Sequence, residues 1–359
     1  MCIRDTLTPV PDAPFCNILG LESGLRTRPV RRPPPPASDA RTPVTHQPGT
    51  EPYDVLVVGG SGVDTVVRVP TLPVPAADSL PVAPIREYAG HTGTGVALGC
   101  AALGLRTGFV DFLGDDPQGA LVRERLAGSG VDFRPLISPH GTRRAVNLVA
   151  PDGRRTSLHD ARDPLDLRMP PEHYLPALRR ARHVHLSITH FARFLYDDIA
   201  ALGLPVSTDL HDWDGLTCHH KEFAFRSDLV FLSTAGAGER IGAVMREILR
   251  EGRASAVIAT AGAGGAYLLT PEDRTPRHIP TAVPPGPVVD SNGAGDAFTS
   301  GFLHGHLAGL EFGECARRGA LAGAHACVAH GTHSAPLDAE ALAAADGKPE
   351  AGAADTVPA

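Results

Sequence analysis

The sequence predicts a layered α/β domain built on a central, mostly parallel sheet, with a small β lid projecting from it. Three observations point there. Short apolar runs alternate with segments of helical period, a rhythm that requires crossover connections. The first of those runs ends in a glycine cluster, as a buried parallel strand does where it opens onto a turn. Between residues 143 and 161 the rhythm is interrupted by two short strand-like runs around a Pro-Asp-Gly turn.

Taken in order, Asp54 to Val58 (DVLVV) is the first buried strand, closing on Gly59-Gly60-Ser61-Gly62. Residues 65–69 and 84–88 read as shorter, half-exposed strands. Thr94 to Leu103 has small and apolar side chains at helical spacing, Arg106 to Leu113 is the next strand, and Gln118 to Ser129 the next helix. Ala145 to Val149, the turn Pro151-Asp152-Gly153, and Thr156 to His159 make a hairpin which, with the two exposed strands, forms the lid. The alternation then resumes: strand 183–187, helix 191–202, strand 206–209, strand 229–232, helix 239–251 and strand 256–260. Two helices, at 294–307 and 312–329, complete the domain. No internal repeat is visible.

Composition excludes several classes. The 359 residues are 42% hydrophobic and 5% aromatic, with 39 Gly and 34 Pro, which suits a globular α/β chain and not a fibre or a fully disordered one. The net charge is -7 and only Lys221 and Lys348 are lysines, so nothing in the charge balance calls for nucleic acid as a partner. Cysteines at 2, 16, 100, 218, 315 and 327 form no CxxC pair and no dense framework, which favours a reducing, cytoplasmic setting. The start MCIRDTLTPVPDAPF lacks the apolar run of a signal peptide, and no stretch of 18 apolar residues occurs, so neither export nor a membrane is expected. The first 52 residues contain 11 prolines and read as an extended, disordered or polyproline-like extension.

Chemistry concentrates in Asp290-Ser291-Asn292-Gly293-Ala294-Gly295-Asp296. Two glycines around a small residue let backbone amides converge, and the helix that follows places free N–H donors at its first turn, a nest suited to phosphate. Asp296 stands where a carboxylate can take a proton from an alcohol attacking a phosphoryl group. Spacing alone leaves open that Asp296 is only a helix cap and that Gly293 and Gly295 only turn the chain. Elsewhere, Gly60 and Gly62 fit the first half of a dinucleotide fingerprint, but Thr65 stands where its third small residue belongs. A Walker A loop is excluded because its lysine is missing. Asp209, His211, Asp212, Asp214, Cys218, His219 and His220 crowd one stretch without a recognised metal spacing; Asp209 or Asp212 at a strand's carboxyl end is better placed to contact substrate or magnesium.

DSNGAGDAFTSGFLHG resembles the C-terminal signature of the PfkB, or ribokinase-like, carbohydrate and nucleoside kinase family. GGSGVDTV resembles that family's first strand with its substrate-binding aspartate, and Ala89 to Asp132 resembles its first signature. The correspondence covers residues 53–335 and leaves 336–359 as a C-terminal segment and flexible tail. The resemblance implies a ribokinase-like three-layer fold and ATP-dependent phosphorylation of an alcohol on a sugar or small polyol. A nucleoside kinase, a sugar-phosphate kinase and a catalytically weak ligand-binding homologue are the alternatives. It implies Asp296 as general base with Gly293, Ala294 and Gly295 as anion hole. Asp64, Gly90, His91, Thr92, Gly93 and Asp209 would hold the acceptor, and Ser233, Thr260, Gly262 and Gly331 the nucleotide. The cofactors implied are ATP and Mg2+, with a monovalent cation such as K+; the partners are a small hydroxyl acceptor and, as an alternative to a monomer, a second copy of the chain.

Two departures stand out. Gly95 replaces the amide side chain of the family's sugar-binding loop, and Ser233-Thr234-Ala235-Gly236 replaces its NxxE segment, leaving Glu239 as the metal-binding substitute. Arg143 and Arg144, at the lid hairpin, are the cations that could grip an anionic acceptor.

Overall fold

The computed structural model describes residues 51–346. Of the Pro-rich extension, residues 1–50 lie outside the described residues, as does 347–359 of the C-terminal tail.

Thirteen strands occur among the described residues. They are β1 (Val55–Val58), β2 (Gly62–Arg68), β3 (Arg86–Gly90), β4 (Thr107–Gly114), β5 (Val131–Ser138), β6 (Arg144–Val149) and β7 (Arg155–Asp160) in the first half. The second half adds β8 (Val184–Ser187), β9 (Val206–Asp209), β10 (Leu229–Ser233), β11 (Ala256–Thr260), β12 (Ala266–Leu269) and β13 (Arg277–Ile279). The α-helices begin with α1 (Thr92–Ala102), α2 (Pro117–Leu126), α3 (Pro171–Leu178), α4 (Tyr196–Ala201) and α5 (Cys218–Arg226). They continue with α6 (Thr234–Ala237), α7 (Ile241–Glu251), α8 (Ala294–Leu307), α9 (Phe312–Ala326) and α10 (Ala339–Asp346).

The main sheet has nine strands in the order β13-β12-β11-β10-β9-β8-β1-β4-β5. It is parallel from β11 to β5, while β12 pairs antiparallel with β11 and the edge strand β13 pairs antiparallel with β12. Alternation within each strand sends side chains to opposite faces. Leu56 and Val58 pack with Leu178, Ile199, Phe223 and Ile248 from α3, α4, α5 and α7. Val55 and Val57 pack with Val96, Val122, Phe302 and Cys315 from α1, α2, α8 and α9. The result is helix, sheet, helix, the three-layer arrangement that the resemblance implied. Phe302 meets Phe231 edge-on at 5.1 Å, and each such fully buried ring stabilises the fold by about 1.5–3 kcal/mol.

A second sheet, β3-β2-β6-β7, is the lid. The hairpin β6–β7 forms with Val146 opposite Leu158, and β6 pairs in parallel with β2. Because β3 and β6 both bond to β2, its ladder extends back to Gly62 and includes Asp64, so the strand starts earlier than the exposed run at 65–69 suggested. The helix expected over 191–202 is a 3-10 turn, Ala192–Leu195, followed by α4.

Candidate active site

The loop before α8 is organised by Asp290. Its Oδ1 accepts the Asn292 backbone N–H at 3.0 Å and the Asn292 side-chain amide at 2.8 Å, while Oδ2 accepts the Gly331 N–H at 3.3 Å. Gly293 then caps α8 with φ of 78°, a left-handed turn that glycine makes without steric cost. The Ala294 N–H makes a long bond to Ser291 O at 3.3 Å and the Ala297 N–H bonds Gly293 O at 2.9 Å. The N–H groups of Gly295 and Asp296 have no acceptor among the described residues. Two free donors therefore point out of a helix N-terminus, the arrangement that holds phosphate oxygens.

Asp296 follows in the first turn of α8 and is 7% exposed. Burial, then the charges of Asp209 and Asp64, push its carboxyl well above the ordinary carboxylate range, and Arg155 opposes them. Asp64, Asp209 and Asp296 thus face one space from β2, the carboxyl end of β9 and α8. Four non-glycine residues among those described have left-handed backbones: His91, Arg162, His211 and His333. The three histidines each flank one of these acids. The His91 N–H donates to Asp64 Oδ2 at 3.2 Å, the His211 N–H to Asp209 Oδ1 at 2.8 Å, and His333 Nε2 lies 3.4 Å from Asp296 Oδ2. Strained backbone held at one site in this way is a recurrent mark of function.

Gly90 ends β3 beneath Asp64, and His91 caps α1 with its Nε2 3.7 Å from Asp64 Oδ1. Burial drives the His91 imidazole down to about 4 against the pull of Asp64, so it is neutral at ordinary pH. Thr92 and Gly93 open α1, and Gly93 presses on the Gly59 carbonyl: a Cβ there would lie 1.9 Å from that oxygen. His159 of β7 faces the His91 ring at 5.3 Å. Arg143 is not available to an acceptor. Its guanidinium is 4% exposed and bound to both Asp111 oxygens at 3.0 Å and to Asp163.

The nucleotide-side candidates fall in two places. Ser233 and Thr260 are register partners at the carboxyl ends of β10 and β11, and Gly262 follows at φ of 55°. Ser233 Oγ accepts the Ala235 N–H at 3.2 Å, capping α6. Gly331 lies apart from these, beside Asp290 and beneath the lid residue Tyr88. Glu239 is exposed in the 3-10 turn Gly238–Arg240, and no group of three His, Cys, Asp or Glu able to hold a metal ion occurs among the described residues.

Both departures from the family pattern have steric causes. A Cβ at Gly95 would meet His333 Cε1 at 2.2 Å, so the space of the missing amide is filled by that imidazole. A Cβ at Gly236 would lie 1.6 Å from the Asp212 carbonyl oxygen, so no glutamate fits beneath the Asp209–Asp214 loop.

Two residues of the site escaped the sequence reading. Arg155, in the lid hairpin, contacts Asn292 Oδ1 across 137 positions of chain. It is the first residue of β7, and nothing local in the sequence tied it to Asn292. His333 had a local signal, the pattern His-Gly-Thr-His at 330–333, but nothing in sequence tied it to Asp296.

A model of the pfkB family carbohydrate kinases matches residues 224–339. The acarbose 7(IV)-phosphotransferase of Actinoplanes sp. (strain ATCC 31044 / CBS 674.73 / SE50/110) is 48% identical over 294 residues, covering 82% of this chain and 98% of the relative. Among solved structures, a microbiome-derived acarbose kinase superposes with a TM-score of 0.75 at 44% identity, over 82% of this chain and 98% of the other. Ribokinase of Arabidopsis thaliana, solved with ribose and ATP, shares the fold with a TM-score of 0.68 at 23% identity, over 83% and 100% of the two chains.

Proposed function

The chain belongs to the pfkB family of carbohydrate kinases, which carry out ATP-dependent phosphoryl transfer to a sugar or nucleoside hydroxyl, and from that premise we propose that its acceptor is acarbose or a carbohydrate of that class. The observation that carries this reading is the buried Asp296 beside two free amides, facing Asp64 and Asp209, within a chain closely similar to two acarbose-phosphorylating proteins.

In this reading Asp64, Asp209 and the neutral His91 orient hydroxyls of the acceptor. Asp296 removes the proton from one hydroxyl as its oxygen attacks the γ-phosphorus of ATP; the new O–P bond forms, the bond to the β,γ-bridging oxygen breaks, and ADP leaves. Charge on the transferred group is met by the amides of Gly295 and Asp296, with Ala294 adding its own if its long bond to Ser291 opens. Arg155 reaches this nest from the lid, so lid closure brings a cation to the phosphoryl group and excludes water. Ser233, Thr260 and Gly262, at the carboxyl ends of β10 and β11, would serve the nucleotide, whereas Gly331 lies under the lid beside Asp290. The described residues offer no three-ligand protein site for a metal ion. Magnesium carried by the triphosphate itself is compatible with this site, and K+ enters on the resemblance alone.

The acidic lining and the sequestered Arg143 argue against an acceptor that is already phosphorylated. Initial rates with acarbose, simple sugars, nucleosides and sugar monophosphates at fixed ATP test the reading. The expected order by kcat/KM places acarbose or a related oligosaccharide first. A nucleoside or sugar phosphate as best acceptor overturns it, and tight acarbose binding with no phosphorylated product from any acceptor would make the protein a binder.

A further inference from the structure

His333 is held in place by features that otherwise lack a reason. Its backbone is left-handed, with φ of 57°, a conformation costly for a histidine. Its ring occupies a slot between α1 and the α8 nest that exists only because positions 95 and 293 carry no side chain: Cβ atoms there would lie 2.2 and 2.5 Å from ring atoms. The His333 carbonyl accepts from Arg125 Nη2 at 2.8 Å, which anchors the segment. The side chain is 4% exposed, and Nε2, buried without a hydrogen-bond partner, lies 3.4 Å from Asp296 Oδ2.

We propose that His333 is a positioning residue for the catalytic carboxylate: the proton that Asp296 takes from the acceptor hydroxyl comes to rest on Oδ2, where Nε2 accepts it in a hydrogen bond. The inference rests on the reading of Asp296 as general base. A neutral imidazole has one N–H and one acceptor nitrogen, and the tautomer protonated at Nδ1 leaves Nε2, which has no other partner, as the acceptor facing Asp296 Oδ2. Burial drives the ring down to about 4, so it stays neutral and the proton stays on Asp296. A hydrogen bond to the protonated form of a carboxylic acid makes its carboxylate the stronger base. The contact is long in the ligand-free protein, as catalytic hydrogen bonds often are before substrate binds. The groups facing the pair are Asp64 of the lid, His91 at the start of α1, Arg125 of α2, Arg155 of β7 and Asp209 of β9.

The test compares His333→Leu, which fills the slot without an acceptor, with His333→Gln, whose amide oxygen can reach Asp296. The leucine variant is expected to lose at least about tenfold in kcat, the worth of about one hydrogen bond. Its KM for ATP and acceptor should stay within about twofold, and the acidic limb of its kcat profile should move to lower pH. Glutamine should recover kcat to within about threefold and return the limb. If the leucine protein does not fold, as judged by a cooperative melt, His333→Asn, whose shorter amide cannot reach Oδ2, replaces it with the same expectation. Wild-type kcat in the leucine variant overturns the proposal, as does a loss that glutamine fails to repair with the pH limb unmoved. Asp296→Asn separates the two ideas: if it remains active, the general-base reading itself fails, whereas an inactive Asp296→Asn beside an unimpaired His333→Leu removes only the role of His333.

Discussion

Alanine at position 95 should destabilise the protein even though it replaces a glycine inside a helix. Its Cβ would sit 2.2 Å from His333 Cε1, about 1.2 Å short of ordinary contact at 3.4 Å. The ring cannot simply swing aside. On its other flank it abuts Gly293, and its backbone is tied by Arg125. Overpacking of this kind costs about 1–3 kcal/mol, against a gain of about 1 kcal/mol for alanine over glycine in a helix. The steric term wins by about 1 kcal/mol, a fall in Tm of about 2–4 °C for a domain of this size. Removing the ring should cancel the clash, since glycine adopts the left-handed backbone of residue 333 freely. Thermal melts of wild type, Gly95→Ala, His333→Gly and the double variant form a cycle, in which the double variant should be more stable than the sum of the singles by about 2 kcal/mol, the steric cost that is cancelled. A Gly95→Ala protein that melts at or above wild type, or a cycle that adds, would refute the argument that His333 occupies the slot over Gly95.

The other predictions concern the acids, the lid and the start of α1. Gly93→Val should lower Tm and soluble yield, and not acceptor affinity alone, because the obstructing atom is the Gly59 carbonyl at 1.9 Å, which cannot rotate away. In the wild-type pH profile, kcat should rise through an apparent pKa above the ordinary 3.8 of a carboxyl, because Asp296 must be ionised and burial with Asp209 and Asp64 opposes that. Asp64→Asn removes one of those negative charges and should move the limb to lower pH, with acceptor KM raised; an unmoved limb would separate Asp64 from the site. Arg155→Ala removes the opposing positive charge and should move the limb the other way while lowering kcat about 10–100-fold, read in the same profile.

Much of the main sheet was legible because its buried parallel strands are mostly apolar runs: β11 has the bounds expected of AVIAT, and β10 (LVFLS) extends the expected run only by Ser233. The lid hairpin showed itself by its Pro-Asp-Gly turn. What escaped notice was polar or interrupted. β5 (VDFRPLIS) is a half-buried edge strand containing Pro135, α3 contains Pro176, and α5 begins Cys-His-His, which invited a reading as ligands. At the site, the glycine nest was legible because backbone requirements are written locally. The partners of Asp296 were not, since Asp64, Asp209, Arg155 and His333 reach it from four distant segments. The departures at Gly95 and Gly236 were legible in sequence only as missing side chains; in the fold each is space taken by another residue, His333 or the Asp212 carbonyl.

Whether Asp296 is the base of a phosphoryl transfer is decided by Asp296→Asn in a paired measurement of turnover and melting at neutral pH. Turnover should fall at least about 10²-fold with ATP binding retained. Melting should move in the opposite sense. A carboxyl whose folded pKa lies above its unfolded value of about 3.9 carries no penalty below that pH, and an increasing penalty as pH rises through the folded pKa, which asparagine removes. The Asp296→Asn protein should therefore be more stable than wild type at neutral pH, bind ATP and turn over slowly if at all; a folded Asp296→Asn protein with wild-type turnover would rule out Asp296 as the base.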